Sequence, residues 1–220
     1  MGMYNYGKRV AAYNDTFENL SPAYLRTLRM NEYLLILDPP EPLRDKIAKI
    51  RQHFYDVYQA PTARGGKPHI SLVKFFTWEM MEEKLINRIE NITMGTTPFT
   101  VQLQDYASFP SHTIYINVST QVKIAELVKE LKTAQRLMKA DPQREPHFMN
   151  EPHITIARKL LPWQYEKGWL EFSHRQFTGR FIADAMLLLK RRDGEKAYQI
   201  VKRFEFQNLP VATKQGALFG

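Results

Sequence analysis

The sequence contains no cysteine, so a disulfide framework, a thiolate metal site and a cysteine nucleophile are all excluded. No apolar run approaches the length of a membrane span, and the first residues lack the apolar segment of a secretory signal peptide. We therefore expect a cytoplasmic protein with no membrane partner. A Walker A loop, a Gly-x-Gly-x-x-Gly fingerprint and a Gly-x-Ser-x-Gly elbow are also missing. These absences argue against nucleoside triphosphatases, dehydrogenases and α/β-hydrolases.

Positive charge is in excess, with 31 Lys and Arg against 23 Asp and Glu, for a formal net charge of +8. Such an excess attracts polyanions, including nucleic acids and phosphorylated metabolites. A solvated basic surface that aids solubility explains the charge equally well. The charge therefore only supports a function that is argued on other grounds.

Hydrophobic patterning predicts an α+β protein. Buried or alternating segments predict strands over residues 33–38, 69–76, 99–106, 113–118, 153–160, 176–191 and 196–206. An Asp-Gly pair within 192–195 predicts a hairpin turn between the last two strands.

Amphipathic segments between these strands predict four helices. The first helix begins near Pro42 and carries an apolar stripe formed by Leu43, Ile47, Ile50, Phe54 and Val57. The second helix is predicted to begin after Thr77, whose hydroxyl would serve as its N-cap. The third and fourth helices are predicted within residues 123–138 and 163–173.

The order of these elements is β-α-β-α-β followed by β-α-β-α-β-β, which indicates a pseudo-repeat. We expect one domain over residues 31–206, with lobes of roughly 31–110 and 111–206 that could exchange strands. Two facing sheets with helices packed outside them are the expected architecture. Residues 1–30 are predicted to form an arm or a peripheral helix, and residues 207–220 a C-terminal tail.

Each half contains one copy of a short motif, "KPHISLVKF" over residues 67–75 and "EPHITIARKL" over residues 151–160. Because side chains alternate along a strand, His69 shares a face with Ser71, and His153 shares a face with Thr155. The intervening aliphatic residues then point into the core. Each proline before its histidine marks the beginning of a strand.

If the two strands lie side by side, two imidazoles and two hydroxyls line one cleft. One neutral imidazole can accept a proton from an attacking water or hydroxyl, and the other, as imidazolium, can protonate a leaving oxygen. Ser71 and Thr155 would hydrogen-bond the non-bridging oxygens of a phosphoryl group. The alternative for a single His-x-Ser/Thr pair is an ordinary half-exposed strand, but two copies in matching context favour a catalytic site.

The paired Pro-His-x-Ser/Thr motifs resemble those of the two-histidine (2H) phosphoesterase superfamily, which includes 2′-5′ RNA ligase-like and cyclic phosphodiesterase proteins. The resemblance covers about residues 31–206 and implies a bilobal, pseudo-twofold fold. It also implies an activity without a cofactor or metal on 2′,3′-cyclic phosphates or 2′-5′ linkages of RNA or nucleotides. His69 and His153 would be the catalytic acid–base pair, and Ser71 and Thr155 would bind the phosphate. For hydrolysis, His69 is assigned as the acid and His153 as the base.

Four further residues are candidates for substrate binding. Lys74 and Arg158 could bind an RNA phosphate, although strict alternation places both on the face opposite the imidazoles unless a bulge intervenes. Tyr115 and Phe76 could stack a base. The alternatives are solvated cations at the strand ends and structural aromatic residues.

Three functions remain open at this stage. The first is a 2H phosphoesterase acting on RNA ends or phosphorylated nucleotides. The second is a non-catalytic RNA-binding module of the same fold, and the third is a ligase that runs the reverse reaction. Both histidines and both hydroxyls are present, which favours an enzyme over a pure binding module. We expect a monomer.

Overall fold

The computed structural model describes residues 29–140, 143–192 and 194–209. The predicted arm over residues 1–30 and the tail over residues 207–220 lie mostly outside these residues. Within them, four α-helices form: α1 (Glu41–Tyr58), α2 (Glu82–Met94), α3 (Gln121–Lys132) and α4 (Pro162–Phe172). Short 3₁₀ turns occupy Pro61–Arg64, Glu79–Met81 and Gln135–Met138.

Nine strands form in the same residues. They are β1 (Met30–Leu37), β2 (Ile70–Trp78), β3 (Phe99–Phe109), β4 (Thr113–Val118), β5 (His147–Phe148), β6 (His153–Arg158), β7 (Thr178–Ala183), β8 (Ala185–Arg191) and β9 (Gln199–Glu205). All strand pairs are antiparallel. The first sheet has the order β5-β2-β1-β8-β9 and the second has the order β6-β4-β3-β7. The α+β class predicted from the sequence is confirmed.

The sheets do not follow the two halves of the sequence. Strand β3 joins the second sheet, whereas β5, β8 and β9 from the later half of the chain join the first. Each sheet nevertheless contains one of the two motif strands, β2 or β6. The doubled motif is therefore divided between the sheets.

The main apolar cluster contains residues from both sheets and from all four helices. On β1, Tyr33, Leu35 and Leu37 face this cluster, while Leu34 and Ile36 face the other way and form a small second cluster. We call the side of the first sheet that carries Leu34 and Ile36 its open face. The open face of the second sheet carries Tyr115, the cross-strand partner of Thr155.

Three details of the sequence prediction were wrong. Thr77 does not cap a helix, because it lies within β2 and its buried hydroxyl donates to the Leu137 carbonyl at 2.9 Å. Val57 does not belong to the buried face of α1, because it is 51% exposed. Arg51 and Tyr58 are buried on that face instead. The predicted strand over residues 176–191 is two strands, β7 and β8, which belong to different sheets.

Candidate active site

The two motif histidines have the same local geometry. Nδ1 of His69 lies 2.8 Å from the carbonyl oxygen of Lys67, and Nδ1 of His153 lies 2.7 Å from that of Glu151. A carbonyl oxygen only accepts hydrogen bonds, so Nδ1 carries a proton in both rings. In each neutral imidazole, Nε2 is therefore the nitrogen that can exchange a proton with a substrate.

His69 directly precedes β2, and His153 is the first residue of β6. Pro68 and Pro152 are buried directly before the two histidines. After them, Ile70 and Ile154 are fully buried, whereas Ser71 and Thr155 are half-buried on the opposite side. This is the alternation that the sequence predicts, and it places each hydroxyl on the same side as its imidazole.

A bulge in each motif strand changes the orientation of the residues that follow. In β2, Ser71 pairs with Ile36 and Lys74 pairs with Leu34, because the register shifts between them. Lys74 therefore lies on the open face with Ser71. In an antiparallel sheet, directly paired residues share a face, and a bulge adds one unpaired residue.

The second motif contains the matching bulge. In β6, Thr155 pairs with Tyr115 and Arg158 pairs with Thr113, with a register shift between them. Arg158 consequently lies on the open face with Thr155. The two bulges thus place Lys74 and Arg158 on the same faces as the hydroxyls, although strict alternation would place them on the opposite faces.

The two motif strands approach each other although they belong to different sheets. Residues of β2 and β6 come within 8 Å of each other, Cα to Cα. The Arg158 cation is close enough to lower the pKa of His69 in the other motif. Burial raises the pKa of Tyr198, and the Arg158 cation acts against this rise. Tyr198 packs against the small apolar cluster with Leu34 and Ile36, on the open face of the first sheet. The Arg158 cation of the second sheet is therefore within electrostatic range of the open face of the first sheet.

Both imidazoles titrate below the ordinary value of 6.5. Burial is the largest cause of the lowered pKa in each case, and the hydrogen bond from Nδ1 to the carbonyl opposes it. The charges that surround the two rings differ. Arg51 and Arg158 lower the pKa of His69 further while Asp38 raises it, and Glu151 raises the pKa of His153.

Two aromatic residues surround His153. The Tyr115 ring lies 4.8 Å from the imidazole, centroid to centroid, and the Phe109 ring lies 5.2 Å from it at 79°. The two aromatic rings also contact each other, with centroids 4.6 Å apart. Tyr115 is thus half-buried against the imidazole and limits the orientations that His153 can adopt.

Sequence reasoning missed Phe109, although a signal for it exists. Phe109 ends β3 and pairs with Thr113, while Ala107 pairs with Tyr115. Phe109 and Ala107 are two residues apart and share a face. A predicted strand extended from residue 106 to Phe109 would therefore have placed Phe109 on the face that carries Tyr115.

Arg51 was missed as well. Its buried guanidinium donates to the carbonyls of Ala63, at 2.9 Å, and of Gly66, at 3.1 Å, and it also bonds the Gly65 carbonyl. These carbonyls belong to the loop that leads into Pro68 and His69. The available signal is an arginine four residues after Ile47, on the buried stripe of a helix.

The remaining candidates lie further along β2. Lys74 forms an ion pair of 2.8 Å with Glu32, and Phe76 is half-buried, with the Lys74 ammonium 5.9 Å from its ring centroid. Phe76 pairs with Glu32 and so lies on the open face of the first sheet. Both residues share that face with Ser71, but Phe76 is not adjacent to it.

Neither a metal site nor a membrane span is found in the described part of the chain. Among residues 29–140, 143–192 and 194–209, no group of three or more His, Asp or Glu side chains is arranged to hold a metal ion. No helix within those ranges is long and apolar enough to cross a bilayer.

Comparisons with known proteins agree with this fold. The family model of the 2′-5′ RNA ligase superfamily matches residues 39–195. A Bacillus anthracis protein named "Putative phosphoesterase" is 27% identical over 129 residues, which cover 57% of this chain and 69% of that protein. E. coli LigT in its apo form superimposes with a TM-score of 0.58 at 16% identity, covering 80% of this chain and 98% of LigT. The Thermus thermophilus protein TT0787 has a TM-score of 0.55 at 16% identity, with the same coverage.

The fold and the paired motifs are those of the two-histidine (2H) phosphoesterase superfamily. The family match extends over more than half of the chain, so the chain belongs to the 2′-5′ RNA ligase superfamily. The resemblance inferred from the two motifs is confirmed.

Proposed function

We propose that the protein is a metal-independent phosphoesterase that acts on 2′,3′-cyclic phosphate ends or 2′-5′ linkages of RNA or nucleotides. One observation carries this proposal: two matched strands that approach within 8 Å each present an imidazole with its Nδ1 bonded to a carbonyl. Both Nε2 atoms are then available for proton transfer. Two such groups supply the base and the acid that phosphoester hydrolysis requires.

The proposed reaction uses the side chains as follows. The neutral imidazole takes a proton from water through Nε2 as the water oxygen attacks phosphorus. The imidazolium gives a proton to the departing ribose oxygen, so the phosphorus–oxygen bond breaks without releasing an alkoxide. Ser71 and Thr155 donate hydrogen bonds to the non-bridging oxygens, and Arg158 stabilises the negative charge.

The surroundings of the rings favour one assignment of the two roles. Burial disfavours a cation at both rings. At His69, Arg51 and Arg158 add to this effect and Asp38 opposes it. At His153, by contrast, Glu151 favours the cation, and no neighbouring cation opposes it among the charges of the described residues that act on the ring. We therefore propose His69 as the base and His153 as the acid, the reverse of the assignment made from the sequence. Titration of the two rings by NMR should give the higher pKa for His153, and the opposite order would restore the first assignment.

Nucleotides are supported as substrates by the ligands of a structural neighbour. E. coli LigT has been crystallised with 3′-AMP, with ATP, with NADP+ and with phosphate, in structures that share this fold with TM-scores of 0.54, 0.51, 0.53 and 0.52. These ligands are phosphates or carry phosphate groups. A phosphorylated nucleotide is therefore a reasonable first substrate for this chain.

The direct test is hydrolysis of 2′,3′-cyclic AMP by the wild type and by His69→Ala and His153→Ala. We expect each substitution to lower kcat/KM by about 10²- to 10⁴-fold, the usual contribution of general acid–base catalysis. The exposed His174 provides a matched control, since His174→Ala should retain wild-type turnover. Activity should persist in EDTA. Wild-type rates in both active-site variants would overturn the site assignment, and RNA binding without turnover of any cyclic or 2′-5′ substrate would favour a binding module.

The same preparation can test the ligase alternative. An RNA with a 2′,3′-cyclic phosphate end is incubated with a second RNA that carries a 5′-hydroxyl. A 2′-5′-joined product that accumulates faster than the cyclic phosphate is hydrolysed would establish ligation as the main reaction.

A further inference from the structure

A groove of about 930 Å³ lies on the first sheet, away from the two histidines. Its lining includes Arg29, Glu32, Phe76, Arg144, Arg191 and Arg192. We call it the arginine groove. None of these residues belongs to the His and hydroxyl motifs.

The arginine groove lies on the same face of the sheet as the candidate active site. On β2, the side chains of Ser71, Lys74 and Phe76 follow one another along this face, from the active-site hydroxyl to the groove. Their partners on β1 are Ile36, Leu34 and Glu32, respectively. The four residues from Ile36 to Glu32 span about 13 Å at about 3.3 Å per residue. Stacked nucleotides rise by about 3.4 Å each, so this distance matches a short run of nucleotides rather than a single one.

Charge distinguishes the arginine groove from an ordinary polar surface. Four arginines and two glutamates, Glu32 and Glu195, line it. Both carboxylates already have partners: Glu32 pairs with Lys74 at 2.8 Å and Arg191 at 2.6 Å, and Glu195 lies 3.7 Å from Arg192. Arg29 and Arg144 form no ion pair with any carboxylate in the described part of the chain. The Arg192–Glu195 pair is long and open to solvent, so it is weak and Arg192 can turn to a phosphate instead. A positive charge therefore remains for an anionic ligand.

The arginine groove also contains planar groups on which bases can stack. The Arg144 guanidinium lies 5.3 Å from the centroid of the Phe76 ring, and Phe76 is half-buried. Nucleobases stack on aromatic rings and on guanidinium planes, and this stacking tolerates different sequences. An alternation of cations and an aromatic ring suits a single strand, whose phosphates and bases are both accessible.

We propose that the arginine groove binds the single-stranded RNA segment that leads to the reactive end. Arg144 and Arg192 pair with backbone phosphates, and Phe76 stacks a base. This proposal rests on the proposed function for the reaction at the end of the strand, and it makes an oligonucleotide the preferred substrate over a mononucleotide. Lys74 lies between the two sites and contacts the intervening backbone.

Binding can be measured without any reaction. A fluorescein-labelled oligoadenylate of ten nucleotides with an ordinary 3′-hydroxyl is titrated with the wild type, Arg144→Ala and Arg192→Ala by fluorescence anisotropy over a series of salt concentrations. Each substitution should weaken binding and reduce the slope of log K against log salt by about 0.7, the value for one lost phosphate contact on a single strand.

Two further variants sharpen this measurement. Phe76→Leu keeps an apolar side chain but removes the stacking surface, and we expect it to weaken binding on the order of tenfold or more. Arg88→Ala is the matched control, because Arg88 is an exposed arginine on α2, which packs on the opposite side of the first sheet. An equal loss of affinity in Arg88→Ala would show non-specific attraction and overturn the proposal.

A second measurement separates this proposal from the proposed function. For the wild type, kcat/KM should rise with chain length from 2′,3′-cyclic AMP to oligomers with the same end, and this rise should shrink in Arg144→Ala and Arg192→Ala. Turnover without any dependence on length or on these arginines would overturn the arginine groove and leave the proposed function intact. Arginine-dependent binding without turnover would support the groove and contradict the proposed function.

Discussion

Lys74 and Arg158 occupy matched positions in the two motifs, each five residues after its histidine and each brought onto the open face of its sheet by a β-bulge. Their environments differ. Lys74 is paired with Glu32, whereas Arg158 forms no side-chain ion pair within residues 29–140, 143–192 and 194–209 and acts on His69. Arg158 is therefore the cation that is available to a substrate phosphate.

We expect Arg158→Met to lower kcat/KM for 2′,3′-cyclic AMP by about tenfold, because a charge-assisted contact to the phosphate is lost. The same substitution should raise the pKa of His69, since a nearby positive charge disappears. Kinetics and NMR titration of His69 measure the two effects. Lys159→Met removes the adjacent exposed cation and should change neither quantity. An unchanged pKa of His69 in Arg158→Met would refute the electrostatic influence of Arg158 on the other motif.

The hydroxyls can be tested by removal and by replacement. Ser71→Ala and Thr155→Ala should each lower kcat/KM by about ten- to a hundredfold, as expected for a lost hydrogen bond to a charged group. Thr155→Ser retains the hydroxyl and copies the first motif, so its activity should remain within a few-fold of the wild type. If Thr155→Ser lost as much activity as Thr155→Ala, packing of the methyl group would be the main role of this residue.

The pH dependence follows from the lowered pKa of both imidazoles. The base must be neutral, which requires a pH above its pKa, and the acid must be protonated, which requires a pH below its pKa. Because both values lie below 6.5 in the free enzyme, the bell-shaped profile of kcat/KM should have its maximum on the acidic side of pH 6.5. Above that maximum, kcat/KM should fall by about tenfold per pH unit. A maximum at pH 8 would contradict the lowered pKa of the two imidazoles.

Arg51 should contribute to stability more than its charge suggests. Arg51→Met leaves the carbonyls of Ala63, Gly65 and Gly66 without their donor, so we expect the free energy of unfolding to fall by about 3 kcal/mol. Urea denaturation measures this loss. Lys49→Met, at an exposed position of the same helix, should change stability by less than about 0.5 kcal/mol. A similarly small loss in Arg51→Met would mean that water replaces the guanidinium in this loop.

The sequence predicted most strands and helices because their hydrophobic periods are local. Strand β4 begins and ends where the pattern "TIYINV" does, and α4 lies within one residue of its predicted bounds. That His69 shares a face with Ser71, and His153 with Thr155, was likewise predictable, because it depends only on the alternation of side chains along a strand. The predictions failed where tertiary contacts compete with local patterns. Thr77 satisfies its hydroxyl on the Leu137 carbonyl instead of on a helix end.

The sequence by itself determined the class of the protein, because two copies of a Pro-His-Ile-hydroxyl segment are short, local and chemically specific. Only the tertiary structure decided which cations accompany the histidines. A bulge depends on the pairing of two strands, and the residues of "SLVK" and "TIAR" do not by themselves predict it. The arginine groove likewise combines residues from distant parts of the chain, since Phe76, Arg144 and Arg192 meet only when β2 and β8 join the same sheet.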